Sequence, residues 1–407
     1  MFILNDRQVD IAPLSGQDFI NPESHRYAIH LHDKDAVLSH ILALWWADAG
    51  VFPIHPDIPA TKARDMALQA DCDRLVNEAG VHALPVVADA LGGVLVQMSS
   101  GTTGAPKVIT RTWDQVRREL ESYVAAFPEP ADMTPVIACP ITHSYGLIAG
   151  VMVALERGHM PVVIDTLNPK YILRRMRELR APLLYTSPAM LHTLAAFSPA
   201  DHPMYGAMTS GTILSKPWFE QIRAKTTHLF QQYGCSEAGC IAINPDLQDA
   251  AAVGRPLTHL KLKTSKDPNA PAPIVVNDGQ RNIDTGDLGY LTSDGMLVFV
   301  ARQDDVIDVA GLNVYPQEVE QAALAMDGVG DALAFAQKDA LGGDRVGLVF
   351  EGSDVAPNDL RLWLIERLAP YQLPATLHSV PRLPREANGK INRRDVARRF
   401  AEAETTL

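Results

Sequence analysis

The stretch Ser99-Ser-Gly-Thr-Thr-Gly-Ala-Pro-Lys107 directly follows an apolar run at residues 94–98. The apolar run predicts a buried strand, and the small and hydroxyl-bearing residues after it predict a loop. Small residues let backbone N–H groups approach phosphate oxygens, hydroxyl groups add donors, and the Lys107 ammonium adds positive charge. This stretch therefore predicts a phosphate-binding loop at the end of a strand.

The position of the lysine distinguishes this loop from the P-loop of common GTPases and kinases. That P-loop has the pattern G-x-x-x-x-G-K-(S/T), whereas Lys107 follows a proline and precedes a valine. The alternative interpretation is a flexible surface loop without a ligand, but composition alone seldom produces such a string. We therefore expect a phosphate site of a different class.

The same string resembles (S/T)-(S/T)-G-(S/T)-T-G-x-P-K, the nucleotide loop of the acyl-adenylating superfamily. This superfamily contains acyl- and aryl-CoA ligases, adenylation domains of peptide synthetases, and luciferases. The resemblance implies an α/β fold, in which a large adenylate-forming domain with parallel sheets, helices and a β-rich subdomain precedes a small mobile α+β domain. It also implies that the nucleotide contacts Ser99, Ser100, Gly101, Thr102, Thr103, Gly104 and Lys107.

A second motif, Tyr233-Gly-Cys-Ser-Glu237, resembles the family pattern Y-G-x-(S/T)-E. The resemblance implies that Tyr233 and Gly234 contact the nucleotide, with the ring along the adenine, and that the Ser236 hydroxyl meets the α-phosphate. It also implies that Glu237 helps to hold Mg²⁺, which offsets the charge of the triphosphate when a carboxylate approaches. Without the surrounding motif, Glu237 would be interpreted as a solvated surface acid.

A third motif, Asp284-Thr-Gly-Asp287, resembles the T-G-D of the family. The resemblance implies that Asp287 accepts hydrogen bonds from the ribose hydroxyls and that Arg302 contacts the same sugar. The alternative for Asp287 is an ordinary turn residue, because Thr-Gly-Asp is also favourable turn chemistry. The string Ser210-Gly-Thr-Ile-Leu-Ser215 matches the Gly-rich adenine turn of the family less well, so only Gly211 is assigned to the nucleotide site.

The string from Arg302 to Glu320 resembles the segment that joins the two domains in acyl-CoA ligases. Asp304 stands at the hinge position, where a few φ/ψ changes rotate the small domain over the active site. Asp308 stands where many members have a lysine. This departure concerns the thiol channel rather than the activation step.

The last motif, Pro384-Arg-Glu-Ala-Asn-Gly-Lys390, resembles the P-x-(S/T)-x-x-G-K loop near the C-terminus of the family. The resemblance implies that Lys390 reaches the acid and the α-phosphate, where its charge stabilises the transition state. Outside this context, Lys390 would be interpreted as a solvated turn residue. Residues 381–399 contain seven Lys or Arg and two acids, which favours attraction of CoA phosphates or an acidic carrier protein.

Residues 141–147 restrict the class of acid that the enzyme is expected to activate, because they resemble the segment that lines the acyl pocket of the family. His143 would lie there beside the nucleotide loop, although a lone His in an apolar stretch is more often a satisfied core residue. Amino-acid-activating members have an Asp near this segment, but no acid occurs between Asp132 and Glu156. We therefore expect an acid without an α-amino group, either aliphatic or aromatic, since apolar walls suit both.

Apolar runs alternate with helix-like segments at residues 27–31, 36–49, 51–54 and 60–70, which predicts βαβ units and a mostly parallel sheet. From about Leu257, short alternating segments with turn signals predict the β-rich subdomain. We predict an AMP-binding adenylation domain at residues 1–303 and a mobile domain with the catalytic lysine at 304–407. The nucleotide loop begins early in the chain, so the extreme N-terminal subdomain of the family is expected to be absent.

Composition restricts the class of protein further. Among 407 residues, 36 Lys and Arg stand against 48 Asp and Glu, a net charge of −12 that disfavours nucleic acid as a partner. The four cysteines show no metal-site or disulfide pattern, and no signal peptide is recognisable, so a reducing cytoplasm is expected. The uncharged residues 133–155 are interrupted by prolines and polar residues, which predicts buried strand, loop and helix rather than a membrane span.

The motifs together predict ATP-dependent activation of a carboxylic acid to acyl-AMP and its transfer to a thiol. The cofactors implied are ATP, Mg²⁺ and either CoA, which is favoured, or the phosphopantetheine of an acyl or aryl carrier protein. A non-catalytic nucleotide-binding sensor is a further alternative. The candidate catalytic residues are Lys390, Glu237 and His143.

Overall fold

The computed structural model describes residues 1–11, 14, 16, 19–86, 91–99, 107–199, 201–309, 312–338, 344–352, 354–384 and 393–401. The described strands form a 13-stranded sheet, a six-stranded sheet and two smaller sheets of two and three strands. The described α-helices are α1 Lys34–Trp46, α2 Ala60–Gln69, α3 Trp113–Ala126, α4 Val153–Glu156, α5 Pro169–Arg177, α6 Pro188–Phe197, α7 Lys216–Ala224, α8 Pro316–Leu324, α9 Pro357–Ile365 and α10 Arg393–Ala401.

The 13-stranded sheet combines a central parallel part with antiparallel pairs at both of its ends. Its strands are β1 Phe2–Leu4, β2 Arg7–Val9, β9 Thr134–Ala138, β10 Val162–Val163, β11 Pro182–Thr186, β12 Met204–Thr209, β13 Thr226–Cys235, β14 Gly239–Asn244, β15 Ala252–Pro256, β16 Lys261–Lys263, β17 Ala272–Asn277, β18 Asn282–Leu291 and β19 Leu297–Arg302. Strands β9 to β13 pair in parallel, and β13 pairs antiparallel with β14 on its other side.

Antiparallel pairing therefore begins earlier than the turn signals near Leu257 predict. Strand β14 is buried along its whole length, so it has the continuous apolar pattern of a parallel strand. The only glycine next to the preceding turn at residues 236–238 is Gly239, the first residue of β14, which gives a weak local signal. The β-rich region is otherwise as predicted, with hairpin turns at residues 278–281 and 292–296.

The six-stranded sheet carries the predicted nucleotide loop. Its strands are β3 Arg26–Ile29, β4 Gly50–Pro53, β5 Arg74–Asn77, β6 Gly80–Ala83, β7 Val94–Ser99 and β8 Lys107–Thr112, in the order β6-β5-β3-β4-β7-β8. Parallel pairing of β3 with β4 and β5, through α1 and α2, confirms the βαβ pattern of the N-terminal sequence. Strand β7 pairs in parallel with β4 and antiparallel with β8.

Helix α3 follows β8 directly and links the two large sheets. It begins with a capping box, in which Thr112 and Gln115 accept hydrogen bonds from each other's backbone N–H groups. At its start the Trp113 indole donates to the Ala49 carbonyl at 2.7 Å. Further along, the Tyr123 hydroxyl donates to the Gln232 side chain of β13 at 2.8 Å. The element after the nucleotide loop is thus fixed at both ends.

The uncharged residues 133–155 form a buried strand, a turn and a buried helix. The strand is β9, and the helix has π geometry over Tyr145–Met152 before it continues as α4. This confirms the interpretation as interior structure. Among the helices that the structure describes, none has the length and apolar character needed to span a bilayer.

The C-terminal part contains an α+β unit, as the family resemblance implies. Its strands are β20 Ile307–Val309, β21 Leu312–Val314, β22 Asp331–Lys338, β23 Asp344–Glu351 and β24 Thr376–Val380, which pack with α8, α9 and α10. Buried apolar residues of this part form clusters of their own, with Val319, Leu348 and Phe350 among them. The fold class is therefore confirmed, while the boundary at residue 304 stays a prediction.

Candidate active site

The two strands that flank the predicted nucleotide loop pair with each other. Ser99 ends β7, Lys107 begins β8, and these two residues are direct partners in the antiparallel pair. The Lys107 side chain is exposed. Ser100, Gly101, Thr102, Thr103 and Gly104 lie outside the described residues, as does Lys390. The two described ends place the predicted phosphate loop at the edge of the six-stranded sheet.

Three predicted nucleotide residues meet in a hydrogen-bonded group. The Tyr233 hydroxyl donates to Asp287 Oδ2 at 2.6 Å, and Arg302 Nη1 donates to Asp287 Oδ1 at 2.8 Å. Asp287 and Arg302 are direct partners of β18 and β19. Because Tyr233 lies on β13, the group joins the parallel part of the sheet to its antiparallel part.

The charges of this group stabilise one another. Burial raises the pKa of the Tyr233 hydroxyl, and the Asp287 carboxylate raises it further, so the phenol remains a proton donor. Burial opposes the charged form of Arg302, but the adjacent Asp287 carboxylate outweighs it and raises the Arg302 pKa. A carboxylate has about four acceptor positions, so Asp287 is the type of side chain that can accept from several donors at once, as binding of a ribose hydroxyl requires.

Glu237 lies at the tip of the hairpin that joins β13 to β14. Cys235 and Gly239 are partners at the base of this hairpin, and Ser236, Glu237 and Ala238 form its turn. Gly234 is needed for the close approach of the strands, because a Cβ there would lie 2.2 Å from the Gly239 carbonyl oxygen. The motif is therefore a tight hairpin that presents one carboxylate.

A narrow cleft beside this hairpin is lined by six polar side chains, Arg111, Gln115, Arg118, Glu237, His259 and Asp278. Within the described chain, the Glu237 carboxylate makes no hydrogen bond or ion pair. No cluster of three or more His, Cys, Asp or Glu suited to a metal occurs in the described ranges. One carboxylate with unused oxygens fits Mg²⁺, which in nucleotide sites takes one or two carboxylates and completes its shell with phosphates and water.

Sequence reasoning missed a buried ion pair beneath the hairpin. Arg111 Nη2 donates to Glu119 Oε2 at 2.6 Å, and the two side chains are 4% and 2% exposed. Glu119 Oε1 accepts from the backbone N–H of Cys240 at 2.7 Å. The sequence holds no clear signal of this pair, because its members lie on β8 and α3 and their partner lies more than a hundred residues later.

The segment expected to line the acyl pocket also contains a polar contact. The Ser144 hydroxyl donates to the side chain of Gln97, which is a buried residue of β7. The Tyr145 hydroxyl donates to the Met208 carbonyl at 2.6 Å. These bonds place the segment between the nucleotide strand and β12, with His143 exposed beside them. Gln97 was missed because it resembles any polar residue within a strand.

Two further predicted residues lie in connections. Gly211 follows β12 in the loop toward α7 and has φ +91°, a conformation that favours glycine. Asp304 lies in the 3₁₀ turn Gln303–Asp305, between β19 and β20. The structure thus places Gly211 at the carboxyl end of a parallel strand, where ligands of α/β sheets bind.

His259 in the cleft is half-buried, and its two ring nitrogens are buried without a partner among the described residues. Desolvation lowers the pKa of His259 below its ordinary value of 6.5; Glu119 opposes this shift, and Arg111 and Arg118 add to it. A folded chain that resists protonation becomes less stable where the unfolded chain binds the proton. Folding stability should therefore fall as the pH drops below 6.5.

We expect the substitution His259→Gln to reduce the loss of thermal stability between about pH 7 and about pH 5. The other charged groups of the cleft, including Glu237 and Asp278, are present in both proteins and cancel in the comparison. Thermal unfolding at each pH measures the difference, with the exposed His202→Gln as the control. Identical pH profiles of wild type and His259→Gln would contradict the assignment.

Comparison with known proteins identifies the family. The model of the AMP-binding enzyme family matches residues 88–298, and the model of its C-terminal domain matches residues 318–390. The chain therefore belongs to the AMP-binding enzyme family, which is the class that the fold and the ordered motifs define.

Among individual relatives, a 3,4-dihydroxybenzoate aryl-carrier-protein ligase from Bacillus anthracis is 35% identical, over 93% of this chain and 92% of the relative. A 2-succinylbenzoate–CoA ligase from Lactococcus lactis is 23% identical, over 74% of this chain and 70% of the relative. Among solved structures, o-succinylbenzoate CoA synthetase from Bacillus subtilis with its acyl-adenylate has a TM-score of 0.79 at 20% identity, covering 97% and 94% of the two chains.

Family membership and these relatives confirm the predicted enzyme class. The chain is an AMP-forming acid–thiol ligase, which uses ATP to activate a carboxylic acid as acyl-AMP and transfers the acyl group to a thiol.

Proposed function

We propose that this ligase activates a hydroxylated aromatic acid and transfers it to the phosphopantetheine thiol of an aryl carrier protein. The observation that carries the proposal is the Bacillus anthracis relative, which matches over nearly the full length of both chains. CoA, which the sequence favours as acceptor, becomes the second candidate. The CoA ligases compared are only 23–28% identical, and the matches span 63–72% of their length.

The polar contact between Ser144 and Gln97 supports a hydroxylated ring. Gln97 is buried, and its side-chain oxygen accepts from the Ser144 hydroxyl in the segment predicted to line the acyl pocket. An amide and a hydroxyl each have hydrogen-bonding positions beyond this one bond, so they favour a ligand that carries a hydroxyl over one that does not. The neighbouring rings of Tyr145 and Tyr185, with centroids 5.8 Å apart, supply aromatic surface. A fatty acid would use the aromatic surface but not the polar pair.

In the proposed activation step, a carboxylate oxygen of the acid attacks the α-phosphorus of ATP. A bond forms between that oxygen and phosphorus, and the bond to the bridging oxygen breaks, so pyrophosphate leaves with the electron pair. The loop from Ser99 to Lys107 holds the phosphates, while Asp287 and Arg302 hold the ribose. Glu237 would bind Mg²⁺, which neutralises phosphate charge, and Lys390 stabilises the transition state.

In the proposed transfer step, the small domain turns about Asp304 and replaces Lys390 in the active site with another face. The thiol, deprotonated as it reacts, attacks the carbonyl carbon of acyl-AMP. A carbon–sulfur bond forms and the bond from carbon to the phosphate oxygen breaks, so AMP leaves. The location of Asp304 in a short turn between two strands supports its role as hinge.

The substrate proposal predicts that hydroxylated benzoates, 3,4-dihydroxybenzoate in particular, stimulate exchange of pyrophosphate into ATP more than benzoate or octanoate does. Gln97→Leu should lower the preference for the hydroxylated ring over benzoate by about 10-fold or more, because it removes a buried partner. The exposed Gln248→Leu is the control.

Mass spectrometry of an aryl carrier protein and of CoA then identifies the acceptor.

The results of this panel separate the alternatives. A similar rate with hydroxylated and plain acids, unaffected by Gln97→Leu, would contradict the hydroxylated substrate. Acylation of CoA but not of carrier protein would contradict the acceptor. Exchange with none of the acids, at normal ATP binding, would favour a nucleotide sensor.

A further inference from the structure

The buried pair Arg111–Glu119 lies directly under the hairpin that carries Glu237. Gly239, at the base of that hairpin, has φ +76°, and a Cβ on it would lie 2.2 Å from Glu119 Oε2 and 2.6 Å from Arg111 Nη1. The two side chains therefore press against the backbone of the hairpin. Glu119 Oε1 also accepts the hydrogen bond from Cys240 N at 2.7 Å. The hairpin is thus both packed on and bonded to the ion pair.

The same pair is attached to the element that leaves the nucleotide loop. Arg111 belongs to β8, which begins at Lys107, and Glu119 belongs to α3, which follows β8 without a break. A change in the position of β8 is therefore transmitted through one ion pair and one hydrogen bond to the Glu237 turn. These contacts are short and almost completely buried, so water does not compete with them.

The pair is not explained by stability alone. Replacing both partners of a buried ion pair with neutral residues is often neutral or stabilising, whereas removing one partner leaves an uncompensated charge. Arg111 Nη1 moreover has no hydrogen-bond partner among the described residues, although it is buried. An arrangement chosen for stability would not leave this donor unpaired.

We propose that Arg111 and Glu119 are positioning residues that hold the Glu237 hairpin at a fixed distance from β8, which begins at Lys107, and thereby set the affinity for Mg²⁺ together with ATP. The proposal rests on the proposed role of Glu237 in holding the metal. Groups behind a metal ligand commonly change metal affinity by about 10- to 100-fold. In this role Arg111 and Glu119 act on Glu237 through the hairpin.

The test uses the double variant Arg111→Met/Glu119→Gln in the full chain. Glutamine keeps an acceptor for Cys240 N, while loss of both charges avoids an unpaired one. Calorimetric titration with α,β-methylene-ATP, with and without Mg²⁺, measures binding without turnover. We expect a wild-type melting temperature, unchanged affinity without Mg²⁺, and affinity with Mg²⁺ that is about 10-fold weaker.

The matched control is Arg255→Met/Asp294→Gln, which removes an exposed ion pair from the neighbouring strand β15 and should leave both affinities unchanged. The proposal would be overturned if Mg²⁺ increased the affinity for α,β-methylene-ATP equally in wild type and in the Arg111→Met/Glu119→Gln variant. If that variant fails to fold, Arg111→Lys decides by the same titration. Lysine keeps the charge but not the guanidinium that packs against Gly239 beside Glu119, so an undiminished gain in affinity from Mg²⁺ would again overturn the proposal.

The variant Glu237→Gln distinguishes the proposed metal-binding role of Glu237 from the positioning role of Arg111 and Glu119. If this variant binds α,β-methylene-ATP with the full gain from Mg²⁺, the proposed role of Glu237 is wrong. If Glu237→Gln abolishes the gain while Arg111→Met/Glu119→Gln preserves it, Glu237 holds the metal and only the positioning role is wrong.

Discussion

Replacing Lys390 with alanine is expected to slow acyl-AMP formation by about 100- to 1,000-fold, the effect of removing one charge-stabilising group from an active site. Thioester formation from supplied acyl-AMP should stay near the wild-type rate, because the proposed rotation about Asp304 removes Lys390 from the site before transfer. Exchange of pyrophosphate into ATP measures the first step. Mass spectrometry of carrier protein incubated with synthetic acyl-AMP measures the second.

The control for this prediction is Lys338→Ala, which removes an exposed lysine of β22 paired with Asp344. It should alter neither step. Equal loss of both steps in Lys390→Ala would contradict the assignment of Lys390 to activation. A decrease in thioester formation alone would place the lysine in the transfer step.

Replacing Asp287 with alanine is expected to weaken binding of α,β-methylene-ATP by about 100-fold, because truncating one member of a partly buried charged pair removes the carboxylate partner of the other. The Tyr233 hydroxyl loses the Asp287 acceptor, and Arg302 keeps only its hydrogen bond to the Thr285 carbonyl. Folding stability should also fall by about 1–3 kcal/mol. Calorimetric titration and thermal unfolding measure the two effects.

Asp284→Ala is the matched control, since it removes an acid three residues earlier in the same motif. Asp284 is exposed and accepts from Gly286 N and Gln303, so we expect a change in stability within about 0.5 kcal/mol. If Asp284→Ala and Asp287→Ala weaken nucleotide binding equally, the loss reflects a general disturbance of β18 rather than the buried Asp287 carboxylate.

The sequence predicts those parts of the site whose residue types are required by local chemistry. The apolar strand that runs into a hydroxyl-rich loop is observed as β7 up to Ser99, because a buried strand and a phosphate loop each need a distinct composition. Tyr233, Asp287 and Arg302 were each assigned to the nucleotide by their motifs. Their mutual hydrogen bonds depend on strand register, which separate motifs do not encode.

The parts that could not be predicted depend on tertiary packing. Arg111 and Glu119 are ordinary charged residues of a strand and a helix, and only the docking of α3 brings them to Cys240. Gln97 likewise becomes recognisable as a site residue only through its hydrogen bond with Ser144, which lies 47 positions later in the chain. The early start of antiparallel pairing was missed because burial on both faces removes the alternating pattern of β14.

The pairing of β1 with β10 bears on the order in which the chain can fold. Ile3 is the partner of Val162, so the first strand of the chain completes the sheet edge only after well over a hundred further residues are available. Such non-local pairing forms slowly, since loop closure costs entropy before contacts repay it. Until the hairpin of β1 and β2 pairs with it, the short apolar strand β10 at Val162 and Val163 is an open sheet edge. An open edge of this kind can pair with another chain and lead to aggregation. The first nine residues thus protect an edge made much later in synthesis.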